Sequence, residues 1–189
     1  MRLGVFVGSF DPIHIGHIKV MDYLIDNNYL DKIIIMATQD YWKKKTVATV
    51  EQRTNMIKEI KRDYLIVDEE NNKYQYTYEV LNELNKKYKN DELYLIISAD
   101  NIINFDKWKN VDEIIKDNKV IVLNRDDINI KEYVDKFKEK DKFVIIQDYP
   151  YIKISSTELR NKINKNYLDE NVYKYIINNN LYKGEWLCM

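Results

Sequence analysis

The 189-residue chain has only one cysteine, two histidines, two prolines and four glycines. Its one cysteine, Cys188, rules out an internal disulfide and fits a reducing, cytoplasmic setting. Two prolines and four glycines are too few for a Pro- or Gly-rich linker, and no internal repeat or low-complexity block interrupts the sequence. No apolar run approaches membrane-spanning length, and the N-terminus leads directly into a short apolar stretch, so neither a membrane anchor nor a signal peptide is expected. Charge of either sign is not in excess, with 30 Lys and Arg against 31 Asp and Glu. That balance removes any global pull toward nucleic acid or acidic membranes, and no basic stripe with interleaved aromatics replaces it. A polyanionic ligand must therefore be held by locally placed positive groups. The same near-zero charge permits a homo-oligomer without requiring one.

The scarce residues are not scattered. Both histidines and three of the four glycines fall within Gly4-Val-Phe-Val-Gly8-Ser-Phe-Asp-Pro-Ile-His14-Ile-Gly16-His17. Leu3-Gly-Val-Phe-Val7 reads as a buried strand, and Ile18-Lys-Val-Met21-Asp-Tyr-Leu24-Ile25 has apolar residues at helical spacing. Strand, glycine turn and helix follow in that order, with His14 and His17 at the helix entry. A helix N-terminus offers unpaired N–H groups and the positive end of the macrodipole, which suits phosphate. Two imidazoles three residues apart share a helical face and can reach one anion. The same pair is half a metal site. Its remaining ligands would have to be carboxylates, because no third histidine exists and Cys188 lies near the other end. No protein metal site is therefore predicted.

Apolar runs at 3–7, 32–37, 64–68, 92–98, 119–124 and 143–147 predict six strands. Helices are predicted at about 15–27, 50–62, 77–89, 110–117, 130–139, 156–164 and 169–180. Thr49-Val-Glu-Gln52 and Ser155-Ser-Thr-Glu158 carry capping-box chemistry at two of the helix starts. Uninterrupted apolar strands alternating with helices imply a mostly parallel sheet covered on both faces. The expected fold is one doubly wound, Rossmann-like α/β domain over 1–189, with ligands beyond the carboxyl ends of the strands. Residues 150–189 are expected to form its C-terminal phosphate-binding and helical segment. The longest predicted loop, 38–49, carries Lys43, Lys44 and Lys45, which read either as a solvated run or as a lid bearing phosphate-binding charge.

Gly8-Ser-Phe-Asp-Pro-Ile-His-Ile-Gly-His17 strongly resembles the (G/S/T)-F-D-P-x-H-x-G-H signature of nucleotidyltransferases, and Ile154-Ser-Ser-Thr-Glu-Leu-Arg160 resembles their I-S-S-T-x-(I/L)-R segment. Four further stretches narrow the likeness to bacterial nicotinate mononucleotide adenylyltransferases. They are Tyr76-Thr77-Tyr-Glu-Val-Leu81, Ile97-Ser98-Ala99-Asp100 followed by Trp108, Leu123-Asn124-Arg125, and Arg53 with Met56. These matches run in the family's order to Tyr175-Ile-Ile…Leu181-Tyr182, so the resemblance spans essentially the whole chain. It implies that His14 and His17 donate to a triphosphate, with Arg160 and a loop lysine, one of Lys43 to Lys45 and here assigned to Lys44, completing the charge-handling set. Gly8, Ser9, Phe10, Gly16, Ile154, Ser155 and Ser156 would surround ATP, and Asp100 would accept from its ribose. Thr77, Trp108, Arg125, Lys43 and Lys45 would face the mononucleotide, Trp108 by stacking on the pyridine ring. Mg²⁺ would be bound mainly through ATP phosphates.

Three departures stand out: Val7 and Ser98 where the family has glycine, and Tyr41-Trp-Lys-Lys-Lys45 in place of its P-P-H-K loop. The resemblance implies transfer of an adenylyl group from ATP to nicotinate mononucleotide, giving deamido-NAD and pyrophosphate. Nicotinamide mononucleotide is the nearest alternative acceptor. A non-catalytic nucleotide-binding module on the same fold is the alternative of another class. Pantetheine-phosphate adenylyltransferases usually carry T-x-N-G-H where this chain has His14-Ile-Gly-His17, so they fit less well.

Overall fold

The computed structural model describes residues 1–39, 46–125 and 128–182. Six strands, β1 (Arg2–Gly8), β2 (Lys32–Ala37), β3 (Leu65–Val67), β4 (Glu92–Ser98), β5 (Lys119–Leu123) and β6 (Phe143–Ile146), form one sheet in the order β3-β2-β1-β4-β5-β6. Every pairing in it is parallel, so the expected mostly parallel sheet is wholly parallel among the described residues. The helices are α1 (Ile15–Asp26), α2 (Val50–Lys58), α3 (Thr77–Lys87), α4 (Ala99–Ile102), α5 (Val111–Asp117), α6 (Ile130–Val134), α7 (Ser156–Asn161) and α8 (Glu170–Asn178).

Strand alternation divides the core in two. Ile33, Ile35, Ile96, Ile121 and Leu123 face Met21 and Leu24 of α1, Met56 of α2 and Ile176 of α8. Leu3, Val5, Ile34, Leu95, Val120 and Val122 face Leu81 and Leu84 of α3, Ile114 of α5 and Val134 of α6. Both faces are covered, which is why the strands read as continuous apolar runs rather than as alternating ones. Gly4 lets side chains close over β1, because a Cβ there would come within 2.5 Å of Leu30 Cδ1 and 2.8 Å of Ile96 Cδ1.

The order reverses between β1 and β4, whose pairing runs only from Arg2↔Glu92 to Val5↔Leu95. The last three residues of each strand part company, and a crevice opens at their carboxyl ends, where doubly wound sheets bind ligands. Several predicted helices stop early. The helix predicted to 62 ends at Lys58, since Tyr64 must already feed β3. The one predicted to 139 ends at Val134, with Phe137 turned into an aromatic cluster with Phe105 and Phe143. The one predicted to 164 ends at Asn161, where Lys162 turns extended. The short α4, absent from the sequence reading, caps the end of β4.

Candidate active site

The crevice is a cleft of about 650 Å³ between the β1 and β4 ends, walled on its far side by the segment around α7. Gly8, Ser9, Phe10, His14, Gly16, His17, Asp100, Trp108, Arg125, Ile154, Ser155, Ser156 and Arg160 all line it. Thr77 lines a neighbouring chamber of about 450 Å³, which shares Gln75 and Trp108 with the cleft. Lys43, Lys44 and Lys45 lie outside the described residues.

The two histidines build the entry of α1. His14 is its N-cap, and its Nδ1 accepts from Gly16 N at 3.1 Å. His17 Nδ1 in turn accepts from His14 N at 3.3 Å, so the pair forms a capping box made of imidazoles. The rings stack with centroids 3.8 Å apart. Because each Nδ1 serves as an acceptor, the neutral tautomer places the proton on Nε2, and each ring offers an Nε2–H donor. Burial, reinforced by the nearby Arg125 charge, lowers the His14 pKa to about 4. His14 is therefore a neutral donor at neutral pH rather than a cation.

Gly16 makes this geometry possible. A Cβ at that position would approach His14 Cε1 and Ile154 Cγ2, each at 2.9 Å. The space it leaves is thus used by the protein's own His14 and Ile154. Phe10, at φ 47°, sits in the left-handed region and lays its ring edge-on to His17 at 5.1 Å.

Arg160 enters from α7. Its Nη1 donates to the Asp11 carbonyl at 2.9 Å and its Nη2 to Thr157 Oγ1 at 2.9 Å. A guanidinium carries five N–H donors in a planar fork, so this anchored cation keeps donors for an oxyanion in the cleft. Ser155 caps α7 and accepts from Glu158 N at 3.2 Å, while Ser156 Oγ donates to the Pro12 carbonyl at 3.0 Å. The Ser156 bond, with that of Arg160 to the Asp11 carbonyl, fastens the C-terminal segment to the histidine loop.

On the β4 side, Ser98 donates to the Asp100 carboxylate and accepts from Asn101 Nδ2 at 3.0 Å. Where the resemblance expects glycine, this hydroxyl orients a carboxylate instead. Arg125 Nε donates to Tyr151 hydroxyl at 3.0 Å, its guanidinium lies 5.0 Å over the Tyr151 ring, and Nη1 is 4.0 Å from Asp100 Oδ1.

Two residues at the centre of the network escaped functional assignment from sequence. Asp11 is 1% exposed, and its carboxylate accepts from Val47 N at 2.8 Å, Ala48 N at 3.1 Å and the Tyr182 hydroxyl at 2.7 Å. Arg160 Nη1 lies 3.9 Å from the same carboxylate. Arg53 is also 1% exposed and donates to Ala48 O at 3.1 Å and Ser9 O at 2.6 Å. The signal was present for Asp11 in the quoted motif, and for Arg53 in being one of only five arginines.

A family model described as cytidylyltransferase-like matches residues 5–162. A Clostridium tetani protein named probable nicotinate-nucleotide adenylyltransferase is 32% identical over 201 residues, covering 96% of this chain and 99% of its own length. A Borrelia garinii protein of the same name is 35% identical over 197 residues, covering 96% and 95%. The fold is shared with the Plasmodium falciparum nicotinic acid mononucleotide adenylyltransferase complexed with NaAD. The TM-score there is 0.78, with 24% identity over 97% of this chain and 98% of that one. Fold, motifs and full-length relatives agree: the chain belongs to the cytidylyltransferase-like family, among its nicotinate-nucleotide adenylyltransferases.

Proposed function

We propose that this protein transfers the adenylyl group of ATP to nicotinate mononucleotide, giving deamido-NAD and pyrophosphate. One observation carries the reading: two imidazoles with Nδ1 committed to backbone N–H groups share a cleft with a helix N-terminus and an anchored arginine. That donor set suits a triphosphate.

The attacking atom is a phosphate oxygen of the mononucleotide, anionic at neutral pH, so no general base is needed. It forms a bond to the α-phosphorus of ATP as the bond to the bridging oxygen of pyrophosphate breaks. The protein's task is to align these atoms and to neutralise charge building on the leaving group. His14 and His17 donate through Nε2–H, and Arg160 supplies fixed positive charge. Lys44 joins them by resemblance. Gly8, Ser9, Phe10 and Gly16 shape one side of the nucleotide site, and Ile154, Ser155 and Ser156 the other. Asp100, held by Ser98, accepts from the ribose hydroxyls. Trp108 and Thr77 take the pyridine side with Arg125, Lys43 and Lys45.

Among the described residues no group of three or more His, Cys, Asp or Glu side chains could hold a metal. The carboxylate nearest Arg160, Asp11, is occupied by Val47, Ala48 and Tyr182. This donor set fits Mg²⁺ carried by the nucleotide phosphates and water, where the ion would offset phosphate charge. No helix among the described residues is long and apolar enough to cross a membrane. A single cysteine fits a reducing, cytoplasmic setting, and residues 1–189 read as one domain.

The test is pyrophosphate release with ATP and Mg²⁺, run with nicotinate and with nicotinamide mononucleotide. A kcat/KM at least about a hundredfold higher for the acid, ~2.7 kcal/mol in transition-state binding, is the expected result. Release with neither mononucleotide would overturn the proposal.

A further inference from the structure

The chamber beside the cleft is lined by Gln75, Tyr76, Thr77, Lys107, Trp108 and Lys109. Two of these six side chains are cations, and none is a carboxylate. Lys109 Nζ lies 4.2 Å from the Tyr76 ring centroid, and Lys107 Nζ donates to Asn104 Oδ1 at 3.0 Å. Among the described residues neither ammonium is paired with a carboxylate. The acidic residue in the first turn of α3, Glu79, is turned back to accept from Tyr76 N at 3.0 Å. Thr77, the first residue of α3, also lines the chamber, so the positive end of that 11-residue helix faces the same space. Trp108 packs edge-to-face on Phe105 at 5.1 Å and lines both the chamber and the cleft.

From this geometry we infer that Lys107 and Lys109 determine acceptor specificity, making the chamber an anion-selecting pocket that favours a ring carboxylate over the uncharged amide. The inference rests on the pyridine-mononucleotide reading above and extends it to the residues that discriminate between the two acceptors. The two acceptors differ by one charge at one ring substituent. A hydrogen-bonding amide can satisfy many of the contacts a carboxylate makes, so shape alone separates the two poorly. Fixed positive charge separates them directly. At a water-facing site an ammonium within about 6 Å of a carboxylate contributes on the order of a threefold preference, and two together about tenfold.

The experiment measures kcat/KM for nicotinate and nicotinamide mononucleotide in the wild type, in K107Q/K109Q and in K107R/K109R. The acid-to-amide ratio should fall about tenfold in the glutamine variant, chiefly through KM for the acid, and return in the arginine variant. In the wild type the ratio should also shrink as salt rises from about 0.05 to 0.5 M, more steeply than in the glutamine variant. A glutamine variant with the wild-type ratio and the wild-type salt dependence would overturn the inference. A wild type that uses neither mononucleotide would instead overturn the function on which it rests.

Discussion

His14 shows how much one side chain can be asked to do. It caps α1, accepts from Gly16 N, stacks on His17 and stays uncharged because burial and the Arg125 charge hold its pKa near 4. The unfolded chain would titrate this imidazole at about 6.5. Between those two pH values the unfolded state binds a proton that the folded state refuses. Folding stability should therefore be highest above pH 6.5 and fall as the pH drops toward 4, by up to roughly 3 kcal/mol from this residue. Urea unfolding of wild type and His14→Gln at pH 7 and pH 4.5 checks this, since the variant should lose less stability over that interval. Equal losses in the two proteins would show that His14 does not titrate differently on folding. At the residue scale the sequence was most legible where rare types cluster. The His14/His17 pair and its glycines were readable, whereas the tautomers were not, because they depend on which backbone N–H meets which ring nitrogen. Asp11 and Arg53 were missed for a related reason: their partners are backbone groups and a tyrosine 171 residues away.

Elements far apart in sequence meet at the Asp11 carboxylate. Val47 and Ala48 lead into α2, Arg160 comes from α7, and Tyr182 follows α8. The Tyr182 hydroxyl is buried, and burial with its bond to Asp11 raises its pKa well above the usual tyrosine range. A hydrogen bond to a charged acceptor contributes about 1.5–3 kcal/mol net. Tyr182→Phe should therefore lower stability by about 2 kcal/mol, read by chemical denaturation. It should also raise KM for ATP several-fold, because Asp11 holds Arg160 through its carbonyl at 2.9 Å and faces it with its carboxylate at 3.9 Å. A variant with lowered stability and an unchanged KM would make the tyrosine a packing residue only. Element positions were largely legible, since apolar runs mark buried parallel strands and capping boxes mark α2 and α7. Helix ends were not, because α2 and α6 stop where tertiary demands from β3 and the Phe105–Phe137–Phe143 cluster override local pattern.

At the scale of the molecule, function follows from topology. Reversal of strand order between β1 and β4 splays their carboxyl ends, and the chain's rare residues converge there from both ends of the sequence. The fold class was readable from strand and helix alternation. The division into a cleft and a lysine-bearing chamber was not, because Gln75 and Trp108 form their shared wall only once α3 and the turn before α5 are packed. On the proposed function, His14, held neutral by burial, and His17 donate to the departing pyrophosphate. Pyrophosphate release by His17→Ala with saturating ATP, Mg²⁺ and nicotinate mononucleotide tests it most directly. The expected kcat is lower by about a thousandfold, ~4 kcal/mol, with the circular dichroism spectrum of the wild type. A folded variant turning over at close to the wild-type rate would contradict it.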